Sequence, residues 1–542
     1  MSVSVQAAGQ VGAGDDLAGV AAALANKDAS LWGPAAEPEA ANRLGWLALP
    51  ETSEALLPHL RELRDRMRAG GLDHVVLAGM GGSSLAPEVI TRTAGVDLTI
   101  LDSTDPHQVG GVLEDRPDRT VVVVASKSGS TVETDSHRRA FEHAFRGVGL
   151  TPAEVAARIV VVTDPGSPLE ASAREAGYEV VLAEPDVGGR YSALSAFGLT
   201  PSFLAGADVE RLLADARVLA GDLRQDENPG IVLGRAMGEL ARAGRDKLVL
   251  AEGGSGIVGF GDWAEQLVAE STGKDGVGIL PVVVEGVDAP GFADAGEDAH
   301  RVLLGPGRPG VEATAVSGSL GAQFLLWEYA TAVAGKILGI NPFDQPNVAE
   351  SKENTQKILD EAGDHGRLPE GEPLLVEGSV EVYGDPDQLG AAGTVGDVLA
   401  TLAGTVGPRG YLAVMAYLDR VGDDRVQALR AHLARLAAPR PVTFGWGPRF
   451  LHSTGQYHKG GPQTGVFLQV TGAVDRDVDV PDRPYTFGRL QLAQALGDQR
   501  ALSGRGRPVV RLHLLDRAAG VAQLLDTAQA VAGGDRPSGT GT

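Results

Sequence analysis

Short apolar runs separated by amphipathic segments dominate the first part of the chain. The runs that predict strands lie at 74–78, 98–101, 120–125, 158–163 and 179–182. Segments with helical periodicity separate most of them, at 87–94, 133–146 and 168–176. Strands buried on both faces have continuous apolar sequences, and their alternation with helices is typical of a parallel sheet with helices on both sides. The pattern predicts a first α/β domain over residues 46–205.

The same pattern begins again after residue 206. Strands are predicted at 247–251 and 277–284, and helices at 209–223, 231–242, 262–270 and 320–338. The glycine- and serine-rich segment 252–256 follows the first of these strands, as 79–84 follows the strand at 74–78. We therefore expect a second α/β domain of similar layout over residues 206–370.

The two ends of the chain have weaker patterns. Residues 1–45 are predicted to be a loosely attached arm with one helix at 16–24, and residues 531–542 a disordered tail. Between 371 and 530 the pattern predicts strands at 411–417 and 509–514 and helices at 395–402, 424–436 and 518–532. We interpret this segment as a C-terminal elaboration of the second domain. The predicted fold class is α/β, with two doubly wound parallel-sheet domains and this elaboration.

The amino-acid composition excludes several classes of function. The chain has 542 residues, a formal net charge of -24 and no cysteine. Its acidic balance argues against a nucleic-acid-binding surface. The absence of cysteine excludes disulfides and thiolate ligands, and since no HExxH motif is present we expect no metal. No signal peptide and no long apolar run is evident, so the sequence predicts a cytoplasmic protein without membrane contact.

Two polar loops follow predicted strands. Gly79–Ser84 reads GMGGSS, in which Gly82 and Ser83 offer an unhindered N–H group and a hydroxyl. The second loop, 126–131, reads SKSGST and precedes a predicted helix. Hydroxyls, backbone N–H groups and a helix N-terminus together favour a phosphate dianion. The predicted ligand-binding residues of the second loop are Ser126, Lys127, Ser128, Ser130 and Thr131.

The phosphate is predicted to belong to a small ligand. The P-loop pattern, GxxxxGK followed by Ser or Thr, is absent, and the first loop lacks the third glycine of a dinucleotide fingerprint. Both loops stand at carboxyl ends of predicted strands, where open parallel sheets bind ligands. We therefore expect a monophosphate rather than a nucleotide at the edge of the first sheet.

Five segments, in order, resemble the glucose-6-phosphate isomerase family of the sugar isomerase (SIS) fold. They are GMGGSSLAPE (79–88), SKSGST (126–131), VGGRYS (187–192), WAEQLVAESTGK (263–274) and NPFDQPNVAESK (341–352). A later segment, LHSTGQYHKGG (451–461), resembles the longer isomerase form found in transaldolase–isomerase fusions. This chain has the length of the isomerase part alone.

The resemblance implies site residues. Glu270 aligns with the family's proton-transferring base, although its spacing would also allow an ion pair with Lys274 on a helix surface. Arg190 aligns with the arginine that stabilises the enediolate. Lys352 matches the lysine of the ring-opening site, and Gln345 a glutamine near the sugar.

The ring-opening histidine departs from the family pattern. The family places it between the glutamate and the FDQ segment, where this chain has only His300, in no recognisable motif. His452 and His458 lie in the later glycine-rich segment. We expect His458 to supply the function, with His452 and a purely structural role for His458 as alternatives.

These residues imply an enzyme that interconverts glucose 6-phosphate and fructose 6-phosphate through an enediolate, in glycolysis and gluconeogenesis. No cofactor is expected. The family's usual homodimer, with sites shared across subunits, is the expected assembly. A dual phosphoglucose/phosphomannose isomerase is one alternative, and a sugar-phosphate sensor without turnover is another.

Overall fold

A computed structural model of the chain describes residues 3–8, 17–363 and 367–534. Part of the predicted N-terminal helix (residue 16) and most of the predicted tail (535–542) lie outside these residues. The described strands are β1 (Ser4–Gln6), β2 (His74–Gly79), β3 (Thr99–Leu101), β4 (Thr120–Ala125), β5 (Ile159–Thr163), β6 (Glu179–Leu182), β7 (Lys247–Glu252), β8 (Leu280–Val284), β9 (Ala299–Leu304), β10 (Thr314–Ser317), β11 (Leu375–Glu377), β12 (Val380–Tyr383), β13 (Tyr411–Tyr417), β14 (Val442–Trp446), β15 (Gly465–Gly472) and β16 (Val509–Leu514).

Helices connect most of these strands. They are α1 (Val20–Ala25), α2 (Glu37–Ala40), α3 (Leu49–Thr52), α4 (Leu57–Ala69), α5 (Leu85–Ala94), α6 (Pro106–Glu114), α7 (Val132–Gly147), α8 (Pro152–Ala156), α9 (Pro168–Glu175), α10 (Ala196–Ala205), α11 (Val209–Asp222), α12 (Pro229–Arg242), α13 (Phe260–Thr272), α14 (Leu320–Leu338), α15 (Val348–Ala362), α16 (Pro386–Leu389), α17 (Val395–Thr405), α18 (Ala428–Ala437), α19 (Gly455–Gly460), α20 (Phe487–Gly504) and α21 (Arg517–Ala532). None of the helices in the described ranges has the length and apolar character to cross a membrane.

The first sheet has the order β3-β2-β4-β5-β6 and is parallel throughout. Every residue of β2, β4 and β5 is buried, as their continuous apolar sequences predict. The helices that follow these strands cover both faces. The predicted strands of this domain are confirmed to within about one residue at each end.

The second sheet has the order β1-β10-β9-β7-β8 and is parallel except for β1, which pairs antiparallel with β10. Strands β9 (AHRVLL) and β10 (TAVS) were not predicted, because neither contains an apolar run of more than three residues. The long helix α14 is nearly all buried and packs against α11, α12 and α13. Gly234 and Gly238 on α12 allow this approach, because a Cβ at either position would clash with Val333 or Ile337 of α14.

The prediction of a loose N-terminal arm is wrong for the described residues. Strand β1 belongs to the second sheet, and Leu24 and Trp46 are fully buried. The indole Nε1 of Trp32 donates to the carbonyl of Ala332 on α14 at 2.9 Å. The apolar side chains of this segment, which a short helix alone would leave exposed, are therefore buried against the rest of the protein.

Residues 371–530 form a third sheet, with the order β11-β12-β16-β15-β13-β14. Strands β16, β15, β13 and β14 are parallel, and β12 and β11 are antiparallel to their neighbours. One face packs against α17, α18 and α21 in a separate hydrophobic core. The other face shares a core with the second sheet. The segment predicted as an elaboration is thus a complete α/β layer.

Candidate active site

A cavity of about 450 Å³ lies at the carboxyl ends of β2 and β4. Parts of α13 and α15 and the turn 449–452, which follows β14 of the third sheet, close it. The cavity brings together ten of the predicted site residues: Gly82, Ser83, Ser126, Lys127, Ser128, Thr131, Arg190, Glu270, Gln345 and Lys352. Two predicted residues, Ser130 and His458, do not line it.

The SKSGST loop places hydroxyls at one end of the cavity. The Ser126 hydroxyl accepts from the Gly129 N–H at 3.1 Å and lies 3.1 Å from the Thr131 hydroxyl. Gly129 has a φ of 70°, in the left-handed region that glycine tolerates. Thr131 precedes α7 but makes no side-chain cap. The N-terminus of a 16-residue helix therefore opens towards these hydroxyls.

Two residues of this loop have other partners. The Ser130 hydroxyl is exposed, hydrogen-bonds that of Ser128 at 2.7 Å and does not line the cavity. The Lys127 ammonium lies 2.5 Å from the carboxylate of Asp164 and donates to the carbonyl of Pro185 at 3.3 Å. Its charge is thus paired at the wall of the cavity.

The GMGGSS loop packs directly on the segment that carries Arg190. A Cβ on Gly82 would clash with the carbonyl of Gly189, so only glycine permits this approach of two backbones. Gly81 adopts a φ of 55°. The two glycine-rich segments recognised in the sequence therefore form one wall of the cavity.

Arg190 and Glu270 lie next to each other in the wall of the cavity. The Arg190 Nη1 lies 3.3 Å from Glu270 Oε1 and donates to Gln345 Oε1 at 2.8 Å. Its Nε donates to the Ser271 hydroxyl at 2.8 Å and its Nη2 to the Pro342 carbonyl at 2.7 Å. Only 3% of Arg190 is exposed. These bonds fix a buried cation in position beside the carboxylate.

Glu270 is not paired with Lys274. The second carboxylate oxygen of Glu270 accepts from Gln266 Nε2 at 3.1 Å. The Lys274 ammonium instead donates to Asp344 Oδ1 and to the carbonyl of Asn341, at 2.7 and 2.6 Å. Burial and the charge of Arg190 lower the pKa of Lys274 to about 8. The surface ion pair considered from the spacing is therefore absent, and Glu270 faces the cavity.

The structure places His458 outside the cavity. His458 on α19 is buried among aromatic rings, and its Nδ1 hydrogen-bonds the Tyr411 hydroxyl at 3.0 Å. Burial lowers the pKa of His458 well below its usual value. His300 is also buried and lies 2.8 Å from the Thr314 hydroxyl. Neither lines the cavity, whereas His452 does.

His452 forms a pair with Glu133, a residue that sequence reasoning missed. The His452 Nε2 lies 3.0 Å from Glu133 Oε1, which also accepts from Gln494 Nε2 at 2.7 Å. Burial by itself would raise the pKa of Glu133, but the charge and hydrogen bond of His452, helped by the charge of Lys352, lower it to about 2. In the sequence, the only feature that could have indicated Glu133 is its position two residues after the SKSGST loop.

The glycine-rich loop of the second sheet does not form a matching anion site. The Glu252 carboxylate accepts from the N–H groups of Gly254 and Ser255, at 2.8 and 2.6 Å. A side chain of the protein thus takes the place that an anion would occupy. Across the described ranges, no group of three or more His, Asp or Glu residues is arranged to hold a metal ion.

The fold and the cavity together indicate the structural class of the protein. Parallel sheets with a hydroxyl-rich loop at the strand ends, and a carboxylate in the same cavity as that loop, are features of the SIS-type sugar-phosphate isomerases. The structure is similar to that of a hypothetical protein from Thermus thermophilus, with a TM-score of 0.52 and 25% identity, over 65% of this chain and 99% of that one.

Sequence comparisons identify the family within this class. The family model "Phosphoglucose isomerase" matches residues 45–227. The glucose-6-phosphate isomerase of Rubrobacter xylanophilus is 33% identical over 59% of this chain and 90% of the relative. That of Symbiobacterium thermophilum is 29% identical over 61% of this chain and 90% of the relative. The chain belongs to the phosphoglucose isomerase family and is a sugar-phosphate isomerase.

Proposed function

We propose that the protein interconverts glucose 6-phosphate and fructose 6-phosphate, the step shared by glycolysis and gluconeogenesis. One observation carries this proposal. A single cavity is lined both by a hydroxyl-rich loop and by the Glu270 carboxylate beside buried Arg190. Its volume of about 450 Å³ is in the range of small-molecule sites. The names of the curated relatives support the choice of substrate.

The phosphate is held at the SKSGST end. Ser83, Ser126, Ser128 and Thr131 supply hydroxyls, and the first turn of α7 supplies the positive end of its dipole. These groups are neutral dipoles, and the nearest lysine of the loop, Lys127, is already paired with Asp164. Local dipoles therefore attract the phosphate to a protein whose net charge of -24 would repel it.

Ring opening is assigned to His452, in place of His458. The Nε2 of His452 lies 3.0 Å from the carboxylate of Glu133, which holds the imidazole in place beside the cavity. A protonated ring can give a proton to the ring oxygen of the sugar, while a base takes the proton of the C1 hydroxyl. Lys352, which lines the same part of the cavity, supports this exchange by its charge.

Isomerisation follows in the open chain. Glu270 removes the proton from C2 and returns it to C1, while a proton moves from the C2 oxygen towards the C1 oxygen. The intermediate enediolate carries negative charge on oxygen. The guanidinium of Arg190, fixed by four hydrogen bonds, offers a preorganised cation for that charge.

Replacing Glu270 by glutamine tests the proposal. The Glu270→Gln variant keeps the shape and the contact with Gln266 but cannot accept a proton. We expect turnover to fall by about 10²- to 10⁴-fold, with binding of glucose 6-phosphate changed only a few fold. A coupled assay and calorimetric titration measure the two quantities. The exposed Glu312, changed to glutamine, is the matched control.

A Glu270→Gln variant with wild-type turnover would reject Glu270 as the base. Loss of binding together with turnover would instead indicate a role in holding the substrate.

A further inference from the structure

Helix α19 lies in the segment LHSTGQYHKGG (451–461), of which the proposed reaction uses only His452. Gln456 on this helix is fully buried and does not line the cavity. Its side-chain amide instead contacts the ends of two other helices. One of them, α13, carries Glu270, and the other, α15, carries Lys352. A buried amide that joins these helices can fix one against the other.

The amide of Gln456 makes three hydrogen bonds. Its Nε2 donates to the carbonyl of Gly273 and to Oδ1 of Asn347, both at 2.9 Å. Its Oε1 accepts from the N–H of Asn347, also at 2.9 Å. The orientation of the amide is fixed, because a carbonyl oxygen only accepts and a backbone N–H only donates. Gly273 follows the last residue of α13 and Asn347 precedes the first residue of α15, so Gln456 joins the two helix ends.

Glycines let α19 approach both helix ends closely. A Cβ on Gly460 would clash with the side chain of Asn347 and with the carbonyl of Gly273. A Cβ on Gly273 would clash with the backbone of Tyr457. The carbonyl of Gly460 also accepts from the N–H of Gly276 at 2.9 Å. Because these atoms are close-packed, neither helix end can shift without breaking contacts with α19.

A second contact holds α15 one turn further along. The Ser351 hydroxyl donates to Asp498 Oδ1 at 3.0 Å, and the ammonium of Lys459 on α19 lies 3.0 Å from the same oxygen. Lys459 and Asp498 are both buried. Ser351 immediately precedes Lys352 in the chain. Helix α19 therefore supports α15 at two points on either side of its first turn.

The cavity residues of this segment need such support. Gln345 and Lys352 are exposed, so burial of their own side chains does not fix them. Gln345 accepts from Arg190 Nη1 at 2.8 Å. The distance of both residues from Glu270 depends on where the backbone of 345–352 lies relative to α13. A shift of about 1 Å in such a group can lower the rate of an enzyme by about 10²-fold.

We propose that Gln456 is a positioning residue for the isomerase reaction, which sets Gln345 and Lys352 at their working distance from Glu270. This inference rests on the proposed function. Neither partner of the amide, Gly273 or Asn347, lines the cavity, so Gln456 acts through the backbone of the two helix ends. The two polar loops assigned to the phosphate are not part of this arrangement. Loss of Gln456 should therefore lower turnover more than substrate binding.

The kinetics of Gln456→Met test this role. Methionine has a similar length but makes none of the three hydrogen bonds. We expect kcat with glucose 6-phosphate to fall by about tenfold or more, and KM to change by at most about threefold. Gln469→Met is the matched control, because Gln469 is also fully buried and donates to the carbonyl of Ala495 at 3.1 Å, outside the cavity. Both variants should unfold at lower urea concentration than the wild type, but only Gln456→Met should lose kcat.

Asn347→Ala tests the same contact from the other side. The Asn347 side chain does not cap α15, so alanine removes a partner of Gln456 without removing a helix cap. We expect kcat to fall by about threefold, and the double variant to be no slower than Gln456→Met alone, because the two residues act through one contact. If Gln456→Met does not fold, Asn347→Ala decides the question.

Three results would overturn the inference. Wild-type kcat in Gln456→Met or in Asn347→Ala, beside an active wild type, would remove the positioning role and leave the proposed function intact. Losses of kcat that multiply in the double variant would show that the two residues act independently. A wild type without activity on glucose 6-phosphate would reject the proposed function, and this inference with it.

Discussion

Two histidines six positions apart in the chain have opposite environments. His452 lines the cavity, and its Nε2 lies 3.0 Å from the Glu133 carboxylate. His458 is buried among Tyr411, Phe450 and Phe467, where a charge would be costly. An acid for ring opening must hold a proton next to the substrate. Of these two histidines, only His452 lines the cavity.

Replacing His452 by alanine should affect cyclic and open-chain substrates differently. We expect the rate with glucose 6-phosphate to fall by about 10²-fold or more. The rate with a four-carbon aldose phosphate, which is too short to cyclise, should change little. Coupled assays on both substrates measure the ratio.

The matched control is His458→Phe, which fills the same aromatic pocket but loses the bond to Tyr411. It should keep its kinetic constants and lose about 1 kcal/mol of stability. Equal losses on both substrates in His452→Ala would remove His452 from the ring-opening step.

Elements of two domains meet around the turn that carries His452. Arg449, three residues earlier, lies 2.6 Å from the carboxylates of Glu88 on α5 and of Asp102 after β3. Arg420, after β13, lies 3.0 Å from Glu88. All four residues belong to one buried or half-buried ion-pair network. Breaking it would leave charges buried without partners and release the turn.

Lowering the pH should weaken the ion pairs that Glu88 makes with Arg449 and Arg420. Burial alone would raise the pKa of Glu88, but Arg449 and Arg420 lower it to about 2, below its ordinary value of 4.5. The carboxylate therefore stabilises the fold at pH values above 4.5, and this contribution is lost as the pH falls towards 2. The difference between these two pKa values corresponds to a contribution of about 3 kcal/mol to the free energy of unfolding.

Urea unfolding of wild type and Glu88→Gln at pH 7 and pH 3 measures the effect. The variant should have a lower free energy of unfolding than the wild type at pH 7. The difference between the two proteins should be smaller at pH 3. Glu312→Gln, at an exposed position, provides the comparison. A gap that is the same at both pH values would show that Glu88 does not titrate in this range.

On the scale of the whole molecule, one chain supplies every group of the proposed site. Glu133 and Arg190 belong to the first domain, Glu270 lies on α13 of the second, and His452 follows β14 of the third. The geometry therefore does not require that a second subunit contribute residues to the proposed site. We infer that each chain is a complete catalytic unit, whether or not it dimerises.

Mixing two inactive variants tests this inference. His452→Ala and Glu270→Gln, carrying different tags, are co-expressed, and hybrids are purified through both tags. If sites lie within one chain, hybrids stay inactive, because each site keeps one defect. If subunits shared sites, the purified hybrids would regain about half of wild-type activity, because one of their two sites would carry no defect. Assays of each variant alone keep this result separate from the roles of the two residues.

Local sequence determined the outlines of the first domain and of the two polar loops that line the cavity. Strands β2, β4 and β5 are continuous apolar runs, and such runs arise only where both faces are covered. Glycines and hydroxyls at the strand ends identified the loops because backbone conformation and hydrogen-bonding capacity are properties of a few adjacent residues. The placement of Arg190 and Glu270 came from ordered motifs of the family.

Tertiary structure alone decided which histidine enters the site, that Glu133 holds it, and that the third segment is a sheet with its own core. His452 and Glu133 are 319 residues apart, and no local periodicity records which distant carboxylate a histidine will meet. Their contact depends on how the third sheet docks on the first, through Arg449 and its two carboxylates. Short-range preferences shape each element, whereas burial of apolar faces and pairing of buried charges determine where the elements meet.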